Sequence, residues 1–426
     1  MHETIERRVR EKRLLRQTAA KLSELDLPAQ NALLSFIDDF RLGINYSREF
    51  TDYLFDIAKR DNRDLALFLK EKNFASLKEQ EKLPHARKME LLREWLRKIR
   101  YERSIDRAAF SSPAQVAEER KVVFKKQKGK WLKRCPGTQH HICCNYLVIN
   151  SISGCPYSCT YCYLHTYLNK SEIAIYNNQE DLIEELEGFF DGNRHLHYRI
   201  GTGEFSDSLA LDKQAGLSVK LIELFAKQEN HLLELKTKSA EVNHLLDLDH
   251  KGKTVFAWSV NPEMIVRSEE LGTVSLTERL KAAGQCARAG YPVAFHFDPI
   301  IYYHGWEQDY REVVEKIFLA VEENHIAWIS LGALRYPSEL KEIMENKFPH
   351  SKIILGELDI GEDRKYRYLK PIRTEIFKKM HEFIRSCATE VYVYLCMESA
   401  DIWKTAKIEN QKDNIYTKYF NYYKKA

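Results

Sequence analysis

The chain has 426 residues, 44% hydrophobic and 30% charged, with only 17 Gly and 11 Pro; this excludes collagen-like, low-complexity and disordered classes and leaves room for two or three domains. A net charge of +4 conceals a split, with 32 Lys+Arg against 21 Asp+Glu in residues 1–134 and 34 against 41 in the remainder. No apolar run approaches the ~20 residues that a membrane span requires, and the start MHETIERRVREKRLLRQ has no apolar signal core, so a cytoplasmic protein with no membrane partner is expected.

Residues 1–112 read as a basic helical region, because apolar positions recur at three- and four-residue steps. Met89, Leu92, Trp95, Leu96 and Ile99 form one stripe, and Arg93, Arg97 and Arg100 lie among the cations on the remaining surface. Such a surplus suits a polyanion through counterion release, and it equally suits a solvated helical face. After the Ser-Ser-Pro break, residues 113–145 form a lead-in: the basic strand and turn KVVFKKQKGKWLKR, then a stretch holding Cys135, Cys143 and Cys144.

Residues 146–340 read as a core of alternating strands and helices. Strands are expected at 146–150, 197–201, 232–237, 255–260, 293–298 and 328–332, with helices near 180–190, 212–227, 274–289 and 308–324. Six such repeats predict a parallel α/β sheet, doubly wound or an incomplete barrel, with its chemistry at the C-terminal ends of the strands. Residues 341–426 read as an α/β extension.

Six of the nine Cys fall between Cys135 and Cys162. In a reducing compartment such a cluster points to metal or catalysis rather than disulfides. Cys155, Cys159 and Cys162 form a C-x3-C-x2-C array just beyond the first expected strand, with Tyr161 before the last Cys and Tyr163 after it. Three thiolates on one loop can hold three irons of a cubane cluster and leave the fourth open. A zinc site is the alternative, its fourth ligand drawn from His140, His141, His165, Cys143 or Cys144.

With that aromatic and its strand-helix setting, the array resembles the radical S-adenosylmethionine (SAM) superfamily. CPGTQHHICCNY, YCYLHTYLN, GTGEFSDSLALD, TKSAEVNHLLDL, GYPVAFHFDPIIYYHGWEQDYREV and IAWISLGALRYPSEL are together similar to the spore photoproduct lyase family, over roughly Cys135 to Pro337. The resemblance implies an α/β fold with an incomplete (β/α)6-type radical SAM barrel preceded by the basic helical region. It also implies a [4Fe-4S] cluster on Cys155, Cys159 and Cys162 whose open iron binds SAM for reductive cleavage to a 5′-deoxyadenosyl radical. The activity implied is a DNA repair lyase, with DNA as substrate and a reductant such as flavodoxin or ferredoxin.

The same resemblance places Tyr161, Gly201, Gly203, Glu204, Ser206, Lys238, Ser259 and Asp298 around the cofactor, with Arg335 and Tyr336 at the lesion. Their plain readings are a strand-ending turn, a surface Lys, a buried Ser, a satisfied core histidine (His296) on the same strand face as Asp298, and a loop with a charged rim. The family's hydrogen-returning Cys after the second strand has no counterpart, and Glu204 stands at its place. Tyr163, Glu204 and Cys396 are therefore the catalytic candidates. Radical chemistry on another substrate, or an iron–sulfur or zinc protein that binds nucleic acid without turnover, are the alternative functions.

Overall fold

Short apolar, β-branched runs bounded by Gly, Asn and Asp make strands where both faces can be buried, and amphipathic segments between them make the covering helices. The computed structural model describes Ile105, Phe110 and residues 120–408, apart from Pro136, 138–140, Cys143, Asn145, 168–171 and Glu362. The helices expected within 1–112, with Arg93, Arg97 and Arg100, and the candidates Cys143 and His140 lie outside the described residues.

The first strands are β1 (Lys121–Lys125), β2 (Leu132–Arg134), β3 (Leu147–Ile149), β4 (Ile152–Ser153), β5 (Ser158–Cys159) and β6 (Glu172–Tyr176). Next come β7 (Tyr198–Gly201), β8 (His231–Thr237), β9 (Thr254–Ser259), β10 (Glu270–Leu271), β11 (Val293–Ile300) and β12 (Ile326–Ala333). The last are β13 (Arg335–Pro337), β14 (Leu358–Ile360), β15 (Lys365–Tyr368) and β16 (Val393–Leu395).

Eight of them form one curled sheet in the order β16-β12-β11-β9-β8-β7-β3-β2. Every pairing from β3 to β16 is parallel, and β2 runs antiparallel to β3. The architecture is the expected partial barrel, and all six expected strands are present. The sheet differs from the expected core in taking its last strand, β16, from beyond residue 340. Small sheets β1-β6-β4, β10-β5 and β13-β15-β14 surround it.

The helices cover the outside of the sheet. Helix Gln179–Gly192 buries Leu182, Leu186 and Phe190 at four-residue spacing, and helix Lys370–Cys387 buries Ile372, Ile376, Met380, Phe383 and Ile384. Helix Leu276–Arg288 starts in a capping box, with Ser275 and Glu278 satisfying each other's backbone N–H. The helix expected over 212–227 is two helices, Asp212–Ala215 and Leu217–Ala226, because Gly216 is left-handed at φ +63°.

The strand period divides polar from apolar faces. Along β8, Leu233 and Leu235 point one way, and Glu234 and Lys236 the other; Glu234 meets Arg199 of β7 and His296 of β11, so this second face lines the barrel. Among the described residues no helix is long and apolar enough to cross a membrane.

Candidate active site

The cysteine loop leaves the sheet at the C-terminal end of β3 and is tied down along its length. Gly154, at φ +107°, donates its N–H to the Phe205 carbonyl at 3.0 Å, which joins the start of the loop to the turn after β7. Arg120 donates to the Cys155 carbonyl at 3.2 Å. Ser158 and Cys159 pair antiparallel with Leu271 and Glu270, and Thr160 N–H donates to the Glu269 carbonyl at 2.8 Å.

Two adjacent carboxylates complete this clamp. Glu269 accepts from the Thr160 hydroxyl and from Ser351 at 2.7 Å. Glu270 accepts from the Tyr161 phenol and from Asn261 at 2.9 Å, and it pairs with the fully buried Arg279 at 2.6 Å. Tyr161 is thus held by its hydroxyl between two of the thiols in sequence.

Burial pushes all three thiols up, Cys155 to about 12. Coordination to a metal reverses that preference, since a coordinating thiol is deprotonated outright. Lys238 is the cation at hand: burial works against its charge, but Cys159 and Glu270 hold it above its ordinary value, and its ammonium lies 5.9 Å from the Tyr161 ring centroid. His165, one of the zinc candidates, contacts the Cys159 carbonyl through Nε2 at 3.0 Å and packs on Phe348. Among the described residues no three His, Cys, Asp or Glu side chains converge on a single ion; a cluster, in which each thiolate holds its own iron, does not require that.

The turn after β7 adjoins the loop. Gly201 has no room for a side chain, because a Cβ would fall 1.6 Å from the Tyr146 hydroxyl and 2.6 Å from the Glu234 carbonyl. A Cβ on Gly203 would crowd the Lys236 carbonyl and the Ser208 hydroxyl at 3.1 Å. Asp207 organises the rest, accepting from Leu209 and Ala210 N–H, from the Thr237 hydroxyl at 2.6 Å and from Lys238 N–H at 2.6 Å. Ser206 is buried, and its hydroxyl has no hydrogen-bond partner among the described residues. Ser259 ends β9, buried, with its carbonyl accepting from Arg279. Burial raises the Glu204 carboxyl, against the pull of Lys133, and the Glu204 carbonyl accepts from the Tyr163 hydroxyl at 2.8 Å.

Inside the barrel two further groups form. His296 bridges Ser330, at 2.5 Å, and Glu234, at 2.8 Å. Arg199 lies beside Glu234 at 3.4 Å, donates to the Cys144 sulfur at 3.0 Å and stacks over Trp328, Tyr146 and Tyr394. Arg335 and Asp298 pair through both guanidinium nitrogens at 2.9 and 3.1 Å, and Arg335 also reaches the Cys396 sulfur at 3.4 Å. Burial opposes the Asp298 charge, but Arg335 holds its carboxyl well below the usual range.

Asp298 thus pairs with Arg335, the residue expected at the lesion. Tyr336 is buried and packs against Tyr366. Arg199 and Glu234 were not singled out in the sequence; the signal was a charged residue within each of two apolar strands, YRIG and LLELKT.

A family model for spore photoproduct lyase matches residues 142–402. The chain belongs to the spore photoproduct lyase family. As a member of this radical SAM family it is a lyase-type enzyme. It is 31% identical over 254 residues to the spore photoproduct lyase of Bacillus subtilis (strain 168), covering 59% of this chain and 73% of that one. The lyase of Geobacillus sp. (strain Y412MC61) is 32% identical over 219 residues, 51% of this chain and 63% of its own length. A solved spore photoproduct lyase variant with bound AdoMet and dinucleoside spore photoproduct superposes with a TM-score of 0.58 at 25% identity, covering 67% of this chain and 88% of that one. Another family structure, complexed with dinucleoside spore photoproduct, gives 0.58 at 27% identity, over 64% and 82%.

Proposed function

We propose that this chain cleaves a thymine photoproduct in DNA as a spore photoproduct lyase-like repair enzyme of the cytoplasm, with a [4Fe-4S] cluster on Cys155, Cys159 and Cys162, SAM beside it and a flavodoxin or ferredoxin as reductant. The observation that carries the reading is the Gly154–Phe205 bond, which sets the three-thiol loop directly against the 201–208 turn. When bound, cluster and SAM supply one-electron cleavage of a sulfonium bond and hence a hydrogen-abstracting radical.

The chain's own residues bind and orient. Gly203 leaves the close backbone approach that a ligand needs, Glu204 offers a carboxylate to an ammonium group, and the Ser206 hydroxyl, unpartnered among the described residues, offers a buried polar contact. Lys238 balances thiolate charge at the loop. Tyr161, fixed by Glu270, and Ser259 close the site against water.

Cys396 is the proposed hydrogen donor in place of the missing Cys. Burial pushes it up to about 12, so at neutral pH it keeps the S–H bond that donation requires. A substrate radical would take the hydrogen atom and leave a thiyl radical on sulfur. Tyr163, a phenol that is protonated at neutral pH by its ordinary acidity, is the proposed second carrier.

The test is turnover of dinucleoside spore photoproduct in D2O with reductant and SAM. Release of 5′-deoxyadenosine with solvent deuterium in the thymine product is expected, and Cys396→Ala should lose the deuterium while still consuming SAM. SAM consumption with no product from any thymine photoproduct would favour radical chemistry on another substrate, the reading that Glu204 at the donor position supports.

A further inference from the structure

Residues 120–134 hold eight Lys or Arg and no Asp or Glu. Lys121, Lys125, Lys126, Lys128, Lys130, Lys133 and Arg134 are all exposed. Lys125 pairs with Glu172, whereas Lys126, Lys128, Lys130 and Lys133 have no ion pair among the described residues. A solvated basic loop would be unremarkable if it were slack, but this one is held at both ends. Asn178 accepts from Gln127 N–H at 2.8 Å and donates to the Gln127 carbonyl at 3.1 Å. Glu185 accepts from Trp131 and Leu132 N–H at 3.1 and 2.9 Å. Between these clamps the Gln127 side chain accepts from Lys128 N–H. The backbone of Gln127, Lys128, Trp131 and Leu132 is thus held from within the protein, and the exposed side chains of Lys126, Lys128, Lys130 and Lys133 carry no ion pair among the described residues.

The loop also stands at the reactive end of the barrel. Leu132 lies opposite Ile149, the C-terminal residue of β3, so residues 126–131 project past the end where the cysteine loop begins. Arg120, where this basic segment begins, touches Cys155, and Lys133 acts electrostatically on Glu204. Among these cations Phe124 is 57% exposed, although Val122, two residues earlier on the same face, packs against Ile152, Ile173 and Ile175. Cations interleaved with an exposed aromatic fit a nucleic acid, whose phosphates take the charge and whose bases take the ring.

We infer that Lys126, Lys128, Lys130 and Lys133 hold the phosphates of DNA flanking the lesion, with Phe124 contacting an adjacent base or sugar, so that this loop and not the barrel interior supplies affinity for long DNA. This rests on the repair reading above, and the two can fail separately. The lysines contribute no base readout, so they position any sequence alike.

The experiment compares Lys126→Ala/Lys128→Ala/Lys130→Ala and Phe124→Ala with the wild-type holoenzyme on two substrates: dinucleoside spore photoproduct, which has no flanking phosphates, and the same lesion within a DNA oligonucleotide. The triple variant should process the dinucleoside at the wild-type rate. On the oligonucleotide its log affinity against log salt should flatten by about two to three units, at roughly 0.7–0.9 per phosphate contact. Phe124→Ala should weaken oligonucleotide binding without changing that slope. Oligonucleotide affinity unchanged in the triple variant overturns the inference and leaves the repair reading intact. Equal loss on both substrates also overturns it, because the damage is then to the site. Wild-type binding to phosphatidylserine vesicles tighter than to DNA, abolished in the triple variant, would assign the loop to a membrane surface instead. If the wild type processes neither substrate, the repair reading falls; salt-dependent binding of undamaged DNA, lost in the triple variant, would still support the loop's role.

Discussion

Two buried polar groups in this molecule use the same residue types for different ends. Around the cysteine loop, Glu269, Glu270 and Arg279 spend their hydrogen bonds on a backbone carbonyl, a phenol and hydroxyls belonging to the loop or its supports. Inside the barrel, Arg199, Glu234, His296, Asp298 and Arg335 join strand to strand and border the thiols Cys144 and Cys396. The first group fixes a segment that has little regular structure of its own. The second charges the inner face of a sheet already fixed by its own strand pairing. Removing a member of the first should therefore cost stability and metal together, and removing one of the second should cost chemistry first.

The sharpest way to break that contrast is Glu270→Ala. It leaves Arg279 buried without its ion-pair partner, a loss of about 3–5 kcal/mol, and frees Tyr161, so lowered thermal stability and lowered iron content should appear together. Joint replacement of Glu270 and Arg279 by apolar residues should recover much of the stability and none of the iron; recovery of iron would show that the clamp does not position the loop. Arg335→Met should cost less, about 1.5–3 kcal/mol, because Asp298 is at the partly open end of its pair. Iron content should stay normal and turnover should fall, and an iron deficit there would merge the two groups into one.

A pH scan sharpens the barrel side. Burial opposes the Glu234 charge, but Arg199 and the His296 hydrogen bond outweigh it and hold the group down to about 2 from 4.5. A carboxyl depressed on folding contributes stability that is complete above its ordinary value and is lost as pH falls through the folded one. Wild-type stability should therefore drop between about pH 4.5 and 2, and Glu234→Gln should flatten that part of the unfolding curve. The smallest effect belongs to neither group: Lys125→Ala, at an exposed pair with Glu172, should change stability by no more than about 1 kcal/mol. A larger change would mean that the basic loop is part of the folded core.

The parts of this design that were legible in the sequence are those encoded within a few residues of one another. Strands β3, β7, β8, β9, β11 and β12 showed as apolar runs, and Cys155, Cys159 and Cys162 showed by spacing. The clamp on those cysteines did not, because Thr160 meets Glu269, and Tyr161 meets Glu270, across 109 residues of chain. Nor did the pairing of Asp298 with Arg335, which made each look available for a ligand. Gly216 was visible, but a single Gly within an apolar periodic run is compatible with a continuous helix, and only its left-handed φ divides the segment.

The order in which the sheet is assembled bears on how the chain is made. Its two outermost strands, β2 and β16, lie at residues 132–134 and 393–395, so the far edge cannot be completed until residue 395 has left the ribosome, long after residue 134 of the near edge. Until then β12, buried along all eight of its residues in the finished protein, presents an unpaired apolar edge of the kind that recruits strands from other chains. A chain ending before Val393 should accordingly collect in the insoluble fraction even though every residue of the cysteine loop is present, and synthesis at low temperature with a holdase chaperone should favour the full-length product.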